Sequence, residues 1–532
     1  MAERQENIVD KVVSFFNPVQ GARRLRARTF ISTIGGYNAA SRSKRTMAGW
    51  RTISNDADAD TVLDTPLLRQ RSRDLVRNSP LAAGAINTSV VTVIGGTGLV
   101  KQSRIDAELL GMTDDQAAEW ERKTDAEFKL WADSQECDLE RTLRFSEIQE
   151  LVYRQAFENG DVFISMPFVK RSGSPYGLKL QLIEADRVSN PTGIRDVPKF
   201  AGGVEKDVHG APEFYHIQQG HPGSIIRPAQ VWDKVRVFGL RTGKRNILHI
   251  YRKLRPGQSR GVPELAPVIE SLKQLDRYTE AELMAAVVAG MFTVFVKTET
   301  GEGDFAPFEP DSETGGKTSD EDMKLANGAI VSLADGEDIT TANPQRPNAN
   351  YDPFVTAILK EVGAAIGIPY EILTKHFSSS YSASRAAMLE AWRFFMARRI
   401  WVARSFCQPV YEAWLTEAVA SGRIVAPGFL SGDLLIRQAY CACDWVGPAK
   451  GMIDENKEMD ASKKKVDMGV STLQKEAAEL TGTNWETNHK QHKKEVERRK
   501  EDGLEVDVEQ VASDNANAKI EEIEENAGNE TS

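Results

Sequence analysis

Two helical patterns followed by a short polar break, near the middle of the chain, constrain the fold most. Apolar residues recur at helical intervals from Val262 to Met291 and again from Tyr351 to Ile366. Ile368-Pro369 and the polar run from His376 to Ser384 interrupt this pattern before a further helix, predicted from about Ala383 to Ser421. Since 1.5 Å of rise per residue makes the first helix roughly 40 Å long, we expect helices that bridge separate regions.

A small β module is predicted between the first two of these helices. Phe292 to Lys297 and Ala329 to Leu333 have strand character and flank an acidic, glycine-rich excursion from Thr298 to Gly328. Within the excursion, Gly315-Gly316-Lys317-Thr318 resembles the end of a phosphate-binding loop. Asp311 stands where that motif requires its first glycine, and no strand leads into it. A nucleotide-driven DNA translocase is therefore the disfavoured alternative.

The N-terminal half is predicted to mix helices and strands, which indicates the α+β class. A helix, a turn and a second helix are expected between Thr65 and Val100, and further helices from Asp114 to Trp131 and from Phe145 to Asn159. Four strand patterns separated by glycine and proline follow at Val162 to Phe168, Leu178 to Ile183, Glu213 to Gln218 and Ile247 to Tyr251.

The N-terminus carries a short helical pattern and a basic run. Apolar residues have helical spacing from Ile8 to Phe16, and four arginines follow between Arg23 and Arg28. We favour a solvated arm, because exposed charge runs are common at chain ends. A membrane-surface helix or an electrostatic tether, as in a membrane-associated scaffold, is the alternative.

Composition excludes several classes of protein. A formal net charge of −10 argues against tight wrapping of nucleic acid, which needs clustered lysine and arginine. Four cysteines are too few to staple a secreted fold of this size, and no signal peptide is recognisable, so a reducing cytoplasm is expected. No run approaches the roughly 18 apolar residues of a membrane helix. From Glu501 onwards the acidic composition predicts a disordered tail.

No strong catalytic or metal-binding set is present in the sequence. Cys441 and Cys443 could join Cys407 as soft ligands, but structural zinc uses wider cysteine pairs and a fourth ligand, so free thiols are favoured. H-E-x-x-H does not occur. The expectation is a protein without cofactor or enzymatic activity.

The hydroxyl-rich run from Ser378 to Ser382 is best explained by helix capping. Serine side chains accept hydrogen bonds from the first free N–H groups of a helix, and Ser382 or Ser384 is the predicted cap of the helix that follows. A nucleophile in this run is the less favoured interpretation, because capping of the following helix explains the hydroxyl groups adequately.

Arginines and aromatic residues alternate on that helix. At 100° per residue only two of the four arginines share a face, so a continuous basic stripe is not predicted. We expect packing and ion pairs between subunits, with large interfaces burying aromatic side chains that seem too numerous for their helices. The four arginines are Arg393, Arg398, Arg399 and Arg404.

Several segments, taken in order, resemble the lambda-type portal proteins of tailed phages. The longest similarity runs from Ile366 through Ser380-Tyr-Ser-Ala-Ser-Arg385 to Arg399, more than thirty residues. Together the similar segments cover most of the chain from 65 to about 495. The shorter ones are Arg71–Pro80 with the Gly95-Gly96-Thr97-Gly98 turn, Glu184–Pro191, Gly257–Gly261 before the long helix, and Cys443–Gly447.

This resemblance implies the phage portal fold: a ring, usually of twelve subunits, in which each subunit has a wing, a stem, a clip and a crown. The implied divisions are an N-terminal arm (1–60), an α+β wing (61–255), a first stem helix (256–291), a small β-containing clip (292–345), a second stem helix (346–366), a channel loop (367–383), a long kinked tunnel helix (384–422), a helical wing and crown region (423–500) and an acidic tail (501–532).

The resemblance also implies a structural role, as a conduit for double-stranded DNA during packaging and ejection at one capsid vertex. The implied partners are further copies of the chain, DNA bound without sequence preference, terminase, head-completion and head–tail adaptor proteins, and the major capsid and scaffolding proteins, with no membrane. The implied location is the virion, after assembly in the host cytoplasm. The residues implied to face DNA are Lys375, His376, Phe377, Ser378, Ser379, Ser380 and Tyr381.

Overall fold

The computed structural model describes residues 8–33, 38–40, 45–47, 49–50, 52–226, 230–290, 294–298, 337–341, 348, 350–377, 380–451, 454–502 and 504. The chain divides into two compact units, Met1–Asp56 and Ala57–Ser532. The first unit contains the helices α1 (Ile8–Phe16) and α2 (Pro18–Thr33). The helix predicted from Ile8 to Phe16 is thereby confirmed.

The second unit is built mainly from helices. Some of them, such as α4 and α5, have proline in the first turn. The missing N–H of proline costs no hydrogen bond there, because the first N–H groups of a helix have no partner within it. The helices are α3 (Ala57–Thr61), α4 (Thr65–Asn78), α5 (Pro80–Val93), α6 (Ala107–Leu110), α7 (Asp114–Ala132), α8 (Phe145–Asn159), α9 (Ile269–Gly290), α10 (Tyr351–Ile366), α11 (Tyr370–Thr374), α12 (Tyr381–Val402), α13 (Gln408–Ala420), α14 (Leu434–Cys441), α15 (Glu455–Asp467), α16 (Leu473–Thr481) and α17 (Trp485–Glu501).

Small antiparallel sheets complete the second unit. Their strands are β1 (Val100–Ser103), β2 (Asp161–Ser165), β3 (Gln181–Glu184), β4 (Phe200–Ala201), β5 (Val204–Lys206), β6 (Pro212–Gln218), β7 (Trp232–Arg236), β8 (Ile247–Tyr251), β9 (Val294–Thr298), β10 (Glu337–Thr341) and β11 (Cys443–Val446). Among the described residues the strand orders are β3-β2-β8, β4-β5-β6-β7, β1-β11 and β9-β10. The predicted mixture of helices and strands is confirmed.

The first long helix is shorter than predicted. It begins at Ile269, not at Val262, because Pro263 and Pro267 disfavour helical backbone at the residue before each of them. A single 3-10 turn, Ala266–Val268, leads into it. With 22 residues, α9 is roughly 33 Å long. The second long helix, α10, has the predicted bounds.

Between these two helices the β module is described only in part. Strands β9 and β10 pair antiparallel, with Val296 opposite Ile339, and β9 confirms the strand predicted at Phe292 to Lys297. The strand predicted at Ala329 to Leu333 and the glycine–lysine sequence at 315–318 lie outside the described residues.

The helix predicted from Ala383 to Ser421 begins at Tyr381 and is interrupted. A π-helical turn, Ala403–Cys407, separates α12 from α13. Pro409 accounts for the interruption, since it has no N–H to donate to Ser405 and its ring would meet that carbonyl. The kink predicted in this helix therefore has a local covalent cause.

Aromatic side chains form the centre of the main core. The ring of Phe128 in α7 packs edge-to-face on Trp414 (5.1 Å between centroids) and Tyr411 (5.5 Å) of α13, and on Phe145 of α8 (5.9 Å). Trp414 and Tyr411 are fully buried. This chain therefore buries these four rings within its own core.

The side chain of Asp161, at the start of β2, joins four distant segments. Its oxygens lie 2.7 Å from Nη2 of Arg69 in α4 and 2.6 Å from Nε of Arg260. They also accept from Nε2 of His249 in β8 (3.1 Å) and from the N–H of Gly261 (3.1 Å). A Cβ on Gly261 would lie 2.0 Å from the Gly160 carbonyl oxygen. Only glycine therefore permits this close approach.

Arg260 extends this network to the backbone. Its Nη1 donates to the carbonyls of Val188 and Gly202 (both 2.6 Å) and its Nη2 to that of Ala185 (2.7 Å). The Asp161 side chain is fully buried, and the two guanidinium groups hold the pKa of its carboxyl well below the usual range against the opposing effect of burial. The network fixes the segment before α9 to the sheet.

Replacement of Asp161 by asparagine should destabilise the chain severely. The change leaves two buried arginines without their counter-charge, and breaking a buried ion pair in this way typically costs about 3–5 kcal/mol. Urea unfolding followed by circular dichroism measures the loss. The exposed pair Arg393–Glu390 supplies the control, because Glu390→Gln should cost about 0–1 kcal/mol. Equal effects of the two substitutions would contradict the assignment.

His249 predicts a pH dependence of stability. Burial lowers the pKa of His249 to about 4, although the hydrogen bond to Asp161 opposes this shift. In the unfolded chain histidine titrates near 6.5, so as pH falls from about 6.5 to about 4 the unfolded state takes up a proton that the folded state refuses. Stability should fall in that window, by up to about 1.4 kcal/mol per pH unit.

The measurement compares the wild-type chain with His249→Gln, whose amide can still donate to Asp161. The midpoint of urea unfolding at about pH 7 and about pH 5 should shift more in the wild type than in the variant. Parallel shifts in both proteins would refute the assignment to His249.

Candidate functional site

The segment that connects α10 to α12 is held at both of its ends. Gly367 ends α10 with a φ of +74°, and a Cβ there would lie 2.4 Å from the ring of Phe394 in α12. Ile368 is fully buried and Leu373 of α11 is 6% exposed, and both belong to the main core. The helices on both sides of residues 375–380 are therefore packed on the main core.

The predicted channel loop is shorter than the break that the sequence indicated. α11 occupies part of the predicted range 367–383, and α12 resumes at Tyr381. Of the seven predicted residues, Lys375, His376, Phe377, Ser380 and Tyr381 are described and are all exposed, whereas Ser378 and Ser379 lie outside the described residues. Phe377 and Tyr381 are 53% and 52% exposed, an uncommon environment for two neighbouring aromatic rings.

Lys375 gives the loop its direction. It ends α11 with φ +56° and ψ +29°, in the left-handed region that residues other than glycine and asparagine seldom adopt. The N–H of His376 donates to the carbonyl of Glu371 (3.1 Å), which closes the helix end. The backbone is thus turned outwards over two residues.

Ser380 caps α12, so the predicted caps Ser382 and Ser384 are wrong. The backbone of Ser380 is extended (φ −58°, ψ 155°), and its hydroxyl accepts from the N–H of Ala383 at 3.4 Å. Ser382 and Ser384 lie inside the first turns of the helix. Capping itself is confirmed as a role of the hydroxyl run.

Two arginines hold α12 against the rest of the unit. Arg399 donates to the carbonyls of Thr92 (2.9 Å), Val93 (3.1 Å) and Pro448 (2.9 Å), and burial lowers its pKa to about 10. Arg398 pairs with Glu264 at 2.8 Å. The predicted packing role is confirmed for both, but their partners are groups of the same chain and not of a second subunit.

The first turns of α12 lie close to the start of α15. The ammonium group of Lys457 lies 2.8 Å from Asp454, and this contact lowers the pKa of the Asp454 carboxyl, with the charge of Arg385 contributing. Arg385 and Lys457 therefore bring two further cations near Tyr381. Sequence reasoning missed this grouping, because about seventy residues separate the two helices.

Of the cysteines near α13, Cys407 and Cys441 are buried and Cys443 is partly exposed. The thiol of Cys443 lies 3.1 Å from Oε1 of Gln408, and burial raises the pKa of Cys441 and of Cys443 to about 12. A thiol with a raised pKa is a poor metal ligand and a poor nucleophile at neutral pH. In the part of the chain that the structure describes, no three potential ligands are grouped for a metal ion.

The site offers two rings, hydroxyl groups and a few cations on an exposed loop. Such groups can contact a phosphate backbone through single weak hydrogen bonds. None of the described helices has the length and apolar character needed to cross a membrane.

The sequence matches a known family over residues 43–399, described as phage portal protein, lambda family. This match covers most of the chain and includes α4 to α10, the loop and nearly all of α12. The chain therefore belongs to the lambda family of phage portal proteins, and the resemblance drawn from its motifs is confirmed.

Individual relatives extend the similarity beyond that range. Portal protein B of Escherichia phage lambda is 26% identical over 473 residues, covering 85% of this chain and 88% of the relative. The portal protein of Escherichia phage N15 is 27% identical over 474 residues, with the same coverage. A chain in the virion of a native gene transfer agent particle is similar in structure with a TM-score of 0.38, 14% identity, and coverage of 71% of this chain and 93% of that one.

The left-handed backbone of Lys375 predicts which substitutions the loop accepts. Lys375→Asn should leave stability nearly unchanged, because asparagine tolerates this region, whereas Lys375→Val should cost about 1–2 kcal/mol, because its Cβ branches clash with the backbone there. Thermal unfolding of the two variants checks the difference. Equal stability of both would show that the loop does not hold this conformation.

Proposed function

We propose that the chain is a structural subunit of a portal ring at one capsid vertex and a conduit for double-stranded DNA during packaging and ejection, and that it is not an enzyme. Membership of the portal family supports the structural role. The observation that carries the conduit function is the exposed loop from Lys375 to Tyr381, raised on a rigid base. A loop packed into its own core could not contact passing DNA.

Weak contact is the physical requirement for a conduit. Each phosphate that a protein neutralises adds salt-sensitive affinity, and that affinity would slow sliding. Lys375 is the one lysine or arginine among the seven loop residues. The net charge of −10 on each copy repels the duplex, so the loops touch the DNA without holding it.

The pair of helices α9 and α10 supports assembly into a ring. Tyr278 of α9 stacks on Tyr351 of α10 at 5.6 Å, so the two helices contact each other directly. Further along, Leu283, Met284 and Phe354 are 64%, 57% and 50% exposed. A ring buries such residues because one face of each subunit meets a different face of the next. We propose a ring of twelve subunits, located in the virion after assembly in the host cytoplasm.

We propose the divisions that the resemblance implies, and we assign the elements to them as follows. The helices α9 and α10 form the stem, β9 and β10 belong to the clip at 292–345, and α12 with α13 lines the tunnel. The helices from α15 to α17 belong to the crown region, and the sheets at 61–255 form the wing. The clip meets terminase during packaging and the head-completion and adaptor proteins afterwards, while the wing faces capsid and scaffolding proteins.

Replacing Ser378, Ser379, Ser380 and Tyr381 together by arginine should impair packaging or genome retention. Each arginine adds a phosphate contact, and every contact steepens the salt dependence of DNA affinity by about −0.9 in log–log slope. DNase-protected DNA in particles assembled with the variant measures packaging.

The control replaces the same four residues by glutamine, which also removes the cap of α12 but adds no charge. Rings with a central hole should appear by negative-stain microscopy for the wild type and both variants. Normal packaging with the arginine loop would contradict the conduit assignment, and a wild-type chain that forms no rings would contradict the portal assembly.

A further inference from the structure

A cleft of about 1260 Å³ lies between α12, β11 and the two helices α15 and α16. On one wall Trp392, Met396 and Ile400 follow one another at four-residue intervals along α12, which places them on a single face of that helix. Ile400 is 45% exposed. The cleft therefore has an apolar wall that the loop and its supporting contacts do not use.

Positive charge dominates the remaining walls. Seven cationic and four acidic side chains line the cleft, although the chain as a whole carries −10. Two of the acids are already engaged, Asp444 with Arg104 at 3.2 Å and Glu476 with Lys465 at 3.2 Å. The local field is thus opposite in sign to that of the whole protein.

Three lining cations, Arg404, Lys450 and Lys475, form no ion pair with any residue that the structure describes. Among the described residues, Glu458 and Glu479 are the lining acids without an ion pair. Their two negative charges do not neutralise the four positive charges of those three cations and Arg385. A peptide segment that carries both anionic and apolar side chains would complement the cationic walls and the apolar wall of the cleft at once.

The end of this chain has that composition. Residues 505–532 contain nine acidic residues and one lysine. Aliphatic side chains are interspersed among the acids at Val506, Val508, Val511, Ile520 and Ile523. The segment lies outside the residues that the structure describes.

The length of the chain allows the segment to reach the cleft. α16 lines the cleft, and α17 begins four residues after α16 ends. The 17 residues of α17 extend roughly 25 Å, whereas 28 extended residues reach up to about 90 Å. A tether of this length gives an effective concentration in the millimolar range, so even a weak intrinsic affinity keeps the cleft occupied.

We propose that the acidic segment 505–532 docks in this cleft of its own chain, with its carboxylates on Arg404, Lys450 and Lys475 and its aliphatic side chains on Trp392, Met396 and Ile400. The docked segment covers the cleft in the free subunit and leaves when a stronger partner takes its place. This inference does not depend on the conduit function, because none of the residues 375–381 of the predicted channel loop lines the cleft.

Lysine acetylation followed by mass spectrometry of the full-length chain tests the docking. The comparison is between the wild type and a variant in which Glu521, Glu522, Glu524 and Glu525 are glutamine. Lys450 and Lys475 should react about tenfold faster in the variant, the protection expected for a millimolar effective concentration and a dissociation constant of about 0.1 mM. Lys463 and Lys464, exposed on α15 and not lining the cleft, are the controls and should react equally in both proteins.

Carbodiimide cross-linking of a mixture of isotopically labelled and unlabelled chains identifies the donor of the segment. The expected product joins Lys475 to a carboxylate of residues 505–532 within one isotopic form. Mixed-isotope products would show that a second copy fills the cleft and would overturn docking within one chain. Equal acetylation of Lys475 in both proteins, or cross-links that favour Lys463 and Lys464, would overturn the proposal altogether.

Discussion

The buried carboxylate of Asp161 is the interaction on which the rest of the second unit depends. It neutralises Arg69 from the N-terminal helices and Arg260 from the segment before α9, two residues that lie far apart in the chain. An ion pair of this kind contributes little net energy when complete and is very costly when broken. It therefore acts mainly by selecting one arrangement of α4, β2 and α9, the arrangement in which every one of these buried charges has a partner.

The same principle operates at α12, with backbone carbonyls in place of a carboxylate. Arg399 joins this helix to the end of α5 and to the segment after β11, while Arg398 joins it to Glu264, four residues beyond Arg260. The segment before α9 and helix α12 are consequently fixed to one frame. The unfavourable backbone at Lys375, shortly before α12, is tolerated because the surrounding structure is held in place.

Local patterns predicted the helices well, since α8 and α10 begin and end where apolar spacing and flanking polar residues indicate. The predicted start of α9 was wrong, because proline disfavours helical backbone at the residue before it and this effect outweighed a continuous apolar pattern. Strand β11 pairs with β1, more than three hundred residues earlier, and no local pattern carries that information. The loop could be located from its motif, but the outward turn at Lys375 and the proximity of Arg385 to Asp454 arise only from tertiary packing.

The π-helical turn at Ala403–Cys407 has a mechanical consequence. A wide turn is equivalent to one inserted residue, so the side chains beyond it are rotated by about 100° relative to those before it. Upstream, α12 presents a face to the cleft, while downstream Tyr411 and Trp414 of α13 are fully buried. Bends in helices concentrate at such turns, so a change of angle between α12 and α13 would occur there and not within the aromatic core.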